Sequence, residues 1–531
     1  MSKRPNIIYL LNDHQAFYGH DRDFGPKIQR PYFERLASEG IVFNRAYCVY
    51  PLCGPARRSM LCAQYPHNHG ECGNDKDVPF TDDTYLDILK KEGYQSYYFG
   101  KWHAGPGTAY DHGCEGFCLP GYNNPYIQPE YEDYLKRKHL EFPKVRIEHS
   151  YFKQFNLKEY LMSQGQPTDM VDDAMEKSVN ENMVKQFGPG QTPGELYEQK
   201  YLWSNEPCSG IMQGPKEAHE SFFLASLACD QLEKIAQSGD NRPFALRVDF
   251  WGPHHPYFPT QEFADMYDSK DIPEYPSFSE NVFDNKKPEV YQMETNGGIS
   301  EHDRLIYPNP VPWEVWQKDL ALEYAQTTLV DEAGGMILDK LKELGLDDNT
   351  LIIWTTDHGD AIASHGGHFD KDCYMPEEML RVPMAMKYQG VIPFGQVSNE
   401  LVSNLDVAQT MLDAAGAAFT TPVDGISLMP VASGRERNVR EYVVSETYGH
   451  KYPHLGRALM TQRYKYVYNE GQIEELYDLA VDPYELRNLY DEPEYQELKA
   501  DMREKLIEWG KKYNDRDLLE SLKKENAGSP S

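Results

Sequence analysis

The sequence predicts an α/β fold: a large doubly wound mixed sheet flanked by helices, with a smaller C-terminal α+β subdomain. Three observations predict it. Apolar runs of strand length recur at Asn6–Leu11, Tyr94–Phe99, Phe244–Phe250 and Thr350–Trp354. Helical stretches separate them, and helix–turn–strand alternation is the pattern of a doubly wound sheet. Beyond Gly434 the pattern changes to short alternating strands and a final helix.

Taken in order, Asn6–Leu11 is short, apolar and β-branched, which reads as a buried strand. Asp13 follows at its carboxyl end, where open α/β sheets place their ligands. At Cys53, a cysteine stands directly before an expected helix start, because Pro55 suits a first-turn position. Arg57 lies four residues on and shares a helical face with Cys53. Asp82–Glu92 reads as a helix closed by Gly93, and Tyr94–Phe99 as the next strand. Lys101 and His103 follow; in extended backbone they project to one face.

From about Pro120 to Pro312 the chain is irregular and rich in Tyr, Pro, Glu and Asn, with helical fragments near Thr168–Gln186 and Ala218–Gln237. The strand Phe244–Phe250 interrupts it and leads into Pro253-His254-His255-Pro256. An amphipathic helix is expected over Lys318–Leu344, closed by Gly345. Asp357-His358 then follows the strand Thr350–Trp354. Late strands at Tyr442–Ser445, Tyr464–Tyr468 and Glu475–Leu479 precede a helix near Glu494–Lys512. The expected organisation is a catalytic domain over 1–435 with insertions at about 120–240 and 260–315, a subdomain over 436–515, and a charged, fraying tail over 516–531.

Composition narrows the function. The 531 residues carry a formal net charge of −31, which repels nucleic acid and anionic membranes at long range. No apolar stretch approaches the roughly 18–20 residues of a membrane helix. The opening Met-Ser-Lys-Arg-Pro-Asn is not a secretory signal, and nine cysteines spread over a long chain do not suggest a disulfide framework. The expectation is a cytoplasmic protein with no membrane and no nucleic-acid partner.

Singly, each polar candidate has an ordinary explanation: a carboxylate after a strand also caps helices, and a buried histidine also bonds to backbone. Together they make a constellation. Asp13, Asp357 and His358 supply hard oxygens and one imidazole for a divalent ion with an open position. Cys53 presents a nucleophile to it, and Lys101, His103, His254 and Lys371 surround a small tetrahedral anion with positive charge and proton donors. That set describes sulfuryl or phosphoryl transfer.

The motifs resemble those of type I sulfatases, within the alkaline phosphatase-like superfamily. Cys53-Gly54-Pro55-Ala56-Arg57 is similar to the family's Cys-x-Pro-Ser/Ala-Arg, with Cys62-Ala63 in place of its Thr-Gly ending. Gly93-Tyr94 through Gly100-Lys101-Trp102-His103 resembles its second motif, and Pro253-His254-His255-Pro256 its Pro-His-x-Pro turn. Thr356-Asp357-His358-Gly359 resembles its metal-binding segment, and Lys371 with Arg381-Val382-Pro383 its lysine segment. Asp424-Gly425 and Glu475–Leu479 through Asn488-Leu489 resemble its closing landmarks.

The resemblance implies a sulfatase acting on a sulfate ester, with Cys53 oxidised to formylglycine by a formylglycine-generating or anaerobic sulfatase-maturating enzyme. One hydroxyl of the hydrated aldehyde, assisted by Arg57, would attack sulfur. His254 and Lys371 would support departure of the alcohol, and His103 would deprotonate the second hydroxyl to expel sulfate. Asp13, Cys53, Asp357 and His358 are the implied metal ligands, with Ca2+ first and Mn2+ second. Where many members have two successive aspartates this chain has Asp13-His14, so His14 is either a ligand or the ion has one ligand fewer. The set is also similar to phosphonate monoester hydrolases, which gives the alternative of a phosphonate or phosphodiester hydrolase. The expected substrate is a small sulfated saccharide, with the tyrosine-rich insert and Trp313 and Trp316 either stacking on sugar faces or packing in the core.

Overall fold

The computed structural model describes residues 4–17, 26–150, 192–203, 208–284, 286–293, 300–301, 304–309 and 311–528. The main sheet has eight strands, β1 (Asn6–Asp13), β2 (Ile41–Phe43), β3 (Gln95–Lys101), β4 (Glu115–Leu119), β5 (Phe244–Pro253), β6 (Thr350–Thr356), β7 (Met384–Tyr388) and β8 (Gln396–Ser398). Their order is β8-β2-β7-β6-β1-β5-β3-β4. Pairing is parallel from β6 through β1, β5 and β3 to β4, while β7 runs antiparallel to both its neighbours.

Principal helices are α1 (Pro31–Ser38), α2 (Cys53–Cys62), α3 (Tyr85–Lys91), α4 (Glu220–Ser238), α5 (Trp313–Glu343), α6 (Val407–Ala415), α7 (Gln496–Tyr513) and α8 (Arg516–Gly528). Central strands are covered on both faces, which is why they read as continuous apolar runs. Ile8 and Leu10 of β1 pack with Phe223 and Leu329 from α4 and α5. Ile7, Tyr9 and Leu11 pack on the opposite face with Leu61, Leu86 and Met411 from α2, α3 and α6.

A second, antiparallel sheet runs β9 (Val443–Gly449), β10 (Pro453–Met460), β11 (Tyr464–Asn469) and β12 (Glu475–Asp478), as a meander. Leu459, Tyr466 and Leu476 from it meet Leu506 and Trp509 of α7 and Leu518 and Leu522 of α8.

Several expected boundaries shift for local reasons. α3 starts at Tyr85 rather than Asp82, because Thr84 is its N-cap in a reciprocal capping box with Asp87. α2 begins at Cys53 itself, with extended Leu52 as N-cap, so the cysteine lies inside the first turn rather than before it. α5 starts at Trp313, ahead of the expected Lys318. The expected fraying tail is instead helix α8, docked through Leu518 and Leu522. Trp313 and Trp316 lie in the core, Trp313 against Phe278, so neither offers a face to a sugar. The helical fragment expected near Thr168–Gln186 lies outside the described residues.

Candidate active site

Four neighbouring parallel strands, β6, β1, β5 and β3, end side by side at one edge of the sheet. Asp357 follows β6, Asp13 ends β1, His254 follows β5 and Lys101 ends β3. The fold therefore assembles, from segments up to 344 residues apart, groups that the sequence offers one strand end at a time.

Cys53 enters from the first turn of α2. Its Sγ lies 3.1 Å from His358 Nε2 and 3.6 Å from Asp13 Oδ1. Asp13, Cys53, Asp357 and His358 are all buried and bring one ligand atom each within 4.8 Å of one another. Two carboxylates, an imidazole and the atom at position 53 form a donor set that fits a divalent ion. His358 Nδ1 faces the Gly359 carbonyl at 2.7 Å, which leaves Nε2 free to point inward.

Arg57 sits one helical turn below Cys53 and is fully buried. It donates from Nε to Asp357 Oδ2 at 2.7 Å and from Nη1 to Asp249 Oδ2 at 2.8 Å, with Asp13 Oδ1 3.5 Å from Nη2. Lys101 Nζ donates to Asp13 Oδ2 at 2.5 Å. Lys371 Nζ donates to Asp370 Oδ1 at 2.7 Å and stands 3.3 Å from His254 Nε2.

His103 is half-buried at φ +43°, so the expected extended Lys-x-His step does not hold: the strand stops at Lys101 and the chain turns. Its Nδ1 makes no hydrogen bond among the described residues. His14 also departs from the first expectation. At φ +65° its amide donates to Asp357 Oδ1 at 3.0 Å while its ring turns away from Asp13, towards His254, His255 and Asp370.

Electrostatics follow from this layout. Burial opposes a charged Cys53, but Lys101, Lys371 and His358 outweigh it and bring the thiol down to about 6. Burial raises the Asp13 carboxyl to about 7, against the pull of Lys101. Asp357 is held well below the usual carboxylate range: burial opposes this, but Arg57, His358 and Lys101 prevail. Burial and then Lys101 push His103 down to about 3, and burial with His255 keeps His254 neutral well below its ordinary value. The result is a buried cluster in which Arg57, Lys101 and Lys371 are each paired with a carboxylate, inside a strongly acidic protein.

Some participants were not anticipated from the sequence. Asp249 binds both Arg57 and Arg247 and accepts from Tyr98 at 2.7 Å. Its signal was an acid inside the apolar run Phe244–Phe250. Asn404 donates to the Asp357 carbonyl at 2.7 Å, and nothing in its surroundings in sequence marks it. Tyr122 stacks on Trp203 with centroids 5.0 Å apart, lies 4.7 Å from His254, and carries Lys101 Nζ over its ring.

The sulfatase family profile matches residues 5–417, most of the chain and every residue named above in the site. The chain belongs to the sulfatase family. This sulfatase is thus a sulfuric ester hydrolase, and residues 364–512 also match the C-terminal region of N-sulphoglucosamine sulphohydrolase. It is 27% identical to an N-acetylglucosamine-6-O-sulfatase of Bacteroides thetaiotaomicron, over 97% of this chain and 88% of that protein. It is 26% identical to an ulvan-active sulfatase of Formosa agariphila, over 98% of this chain and 84% of the other. A solved structure in complex with D-glucosamine-2-N,6-O-disulfate shares its fold at TM-score 0.67 and 20% identity, covering 97% of this chain and 99% of that one. The phosphonate monoester hydrolase of Agrobacterium radiobacter shares the fold equally, at TM-score 0.67 and 20% identity, covering 96% of each chain. Among the described residues no helix is long and apolar enough to cross a membrane.

Proposed function

We propose that this sulfatase hydrolyses a sulfate ester of a small saccharide at Cys53. The observation that carries the reading is the position of Cys53 Sγ, 3.1 Å from His358 Nε2 and near enough to the buried Lys101 and Lys371 for their charge to act on it. When bound, a divalent ion held by Asp13, Asp357 and His358 would supply positive charge to the transferred group, and formylglycine at position 53 would supply the nucleophilic hydroxyl. Calcium suits the carboxylate-rich set first, and manganese, which accepts imidazole, second.

Arg57 fixes Asp357, holds its carboxyl ionised next to the nucleophile, and stands beside Asp13. Lys101 and Lys371 hold the sulfate oxygens by charge, without the desolvation that a mobile group would have to undergo. Lys371, aligned by Asp370 and His254, neutralises the departing alcohol oxygen, and the Lys371–His254 pair supplies its proton. His103, kept neutral by burial and then by Lys101 and Arg57, takes the proton whose loss releases sulfate. Asp249 acts through Arg57.

The saccharide reading rests on Tyr122, a partly exposed ring beside His254 that can serve a sugar face, and on the N-acetylglucosamine-6-O-sulfatase and ulvan-active relatives. A phosphonate or phosphodiester ester is the second reading, favoured by the Asp-His pair at 357–358 and by the shared fold with the phosphonate monoester hydrolase. The test is a rate comparison on protein with a verified aldehyde at position 53, using sulfated monosaccharides, an aryl sulfate and an aryl phosphonate monoester. Sulfated amino sugars should be turned over fastest; a faster phosphonate would overturn the assignment.

A further inference from the structure

His14, His254, His255 and Asp370 lie beside the Cys53 group but share no residue with it. One ligand-capable atom from each lies within 4.8 Å of the others, and all four residues are buried. We propose that they form a second divalent-metal site, of the imidazole-rich kind that suits zinc.

Unsatisfied rings are the first argument. His14 and His255 are 1% and 0% exposed, yet neither ring nitrogen of either makes a hydrogen bond among the described residues. His14 Nε2 stands 3.3 Å from Asp370 Oδ1 and 3.6 Å from Asp360 Oδ2, close to both carboxylates but not aligned to bond either. Buried polar groups are almost always paired, so two imidazoles with four unbonded nitrogens in one cluster point to a partner the protein itself does not provide.

Ring orientation is the second. His254 Nδ1 bonds to the His255 carbonyl at 2.6 Å, and since a carbonyl only accepts, Nδ1 carries the proton and Nε2 keeps the lone pair. Backbone carbonyls hold metal-binding histidines in this way. The three rings converge, with His14–His254 centroids 4.7 Å apart, His254–His255 4.1 Å and His14–His255 5.4 Å.

Backbone conformation is the third. His14 has φ +65°, a conformation that costs a non-glycine residue energy and tends to persist at functional positions. It splits two consecutive residues between two groups, Asp13 to the first and His14 to the second. The donor sets then differ in character. Two carboxylates and one imidazole suit a hard ion, whereas three imidazoles and one carboxylate suit zinc.

Two features set the terms of binding. A tetrahedral zinc with ligands at about 2.0–2.1 Å needs ligand–ligand separations of roughly 3.4 Å, so the cluster must draw inward from its present spread. Lys371 also contacts Asp370 Oδ1 and His254 Nε2, at 2.7 and 3.3 Å, so zinc binding breaks the Lys371–His254 pair that the proposed hydrolysis uses, and the zinc-loaded form is an inhibited one. Asp360 supplies a second carboxylate beside His14 to offset the added charge.

The test is metal content and zinc X-ray absorption on the full chain, stripped with chelator and reloaded with zinc in excess calcium. Wild type should hold about one zinc per chain, with a scattering shell dominated by several imidazoles. His14→Gln with His255→Gln should lose that zinc, and Asp13→Asn with Asp357→Asn should keep it. Unchanged zinc in a folded His14→Gln/His255→Gln protein would overturn the proposal. Should that variant not fold, the wild-type spectrum decides: a shell with at most one imidazole, or no retained zinc, overturns it.

Discussion

Cys53 lies where cationic neighbours outweigh burial, and that has a measurable consequence in unmodified, metal-free protein. Its thiol, brought down to about 6 from an ordinary 9.0, should show thiolate absorbance with a midpoint near pH 6. Between those values the unfolded chain binds a proton that the folded chain does not. The stabilisation from Cys53 is therefore complete above pH 9 and lost as pH falls through 6, and wild type should gain on Cys53→Ala across that window in thermal melts. A midpoint near 9 would show that the cations are not where the structure puts them. Asp249 makes the matching point about positioning. It neutralises Arg57 and Arg247 in the interior, so Asp249→Asn should cost about 3–5 kcal/mol in denaturant unfolding, as expected for breaking a buried pair. A change below 1 kcal/mol would mean that solvent reaches the pair. Residue types and motif order single out Cys53, Arg57, Lys101, His254, Asp357 and Lys371 as candidates, and the fold brings these residues together at one edge of the sheet. Asp249 and Asn404 were not legible in that way, because their partners lie 192 and 47 positions away and the one local sign, an acid inside the apolar run at Asp249, names no partner. The ring direction of His14 depends on one backbone dihedral, which residue type does not specify.

At the scale of elements, strands were the most legible part of the chain. β1, β3, β5 and β6 are covered on both faces, so burial alone writes them as apolar runs, and parallel pairing then puts their ends together. Helix ends were less legible, since the capping box at Thr84 competes with three plausible starts in Thr81-Asp82-Asp83. α8 was hidden by its charge: Leu518 and Leu522 are four positions apart on one stripe, amid Asp, Glu and Lys. Asp515 stabilises its start, accepting from the Leu518 amide at 3.0 Å while bound to Arg457. Leu518 is fully buried, so Leu518→Ala should destabilise by about 2–5 kcal/mol in urea or thermal unfolding. A neutral substitution would restore the picture of a frayed tail.

Across the whole molecule the formal net charge is −31, while the buried site holds Arg57, Lys101 and Lys371, each paired with a carboxylate. Long-range repulsion acts on every anionic substrate and grows with the number of sulfates it carries. Since the Debye length falls to about 10 Å at 0.1 M salt, kcat/KM should rise from low to moderate ionic strength, more for a multiply sulfated oligosaccharide than for a monosulfated sugar. A fall with salt for both would place a cationic patch outside the pocket. The same distribution of charge explains why composition argues against nucleic acid but says nothing about which ester is cut: the site is a small fraction of the molecule, and the insert around Tyr122 and Trp203 has no counterpart among the family motifs. The most direct measurement is inorganic sulfate released from a 6-O-sulfated glucosamine by protein carrying an aldehyde at position 53, beside Cys53→Ala. Sulfate release by the first and none by the second is the predicted result; equal release by both, or none from the aldehyde form across sulfated sugars and aryl sulfates, would contradict it.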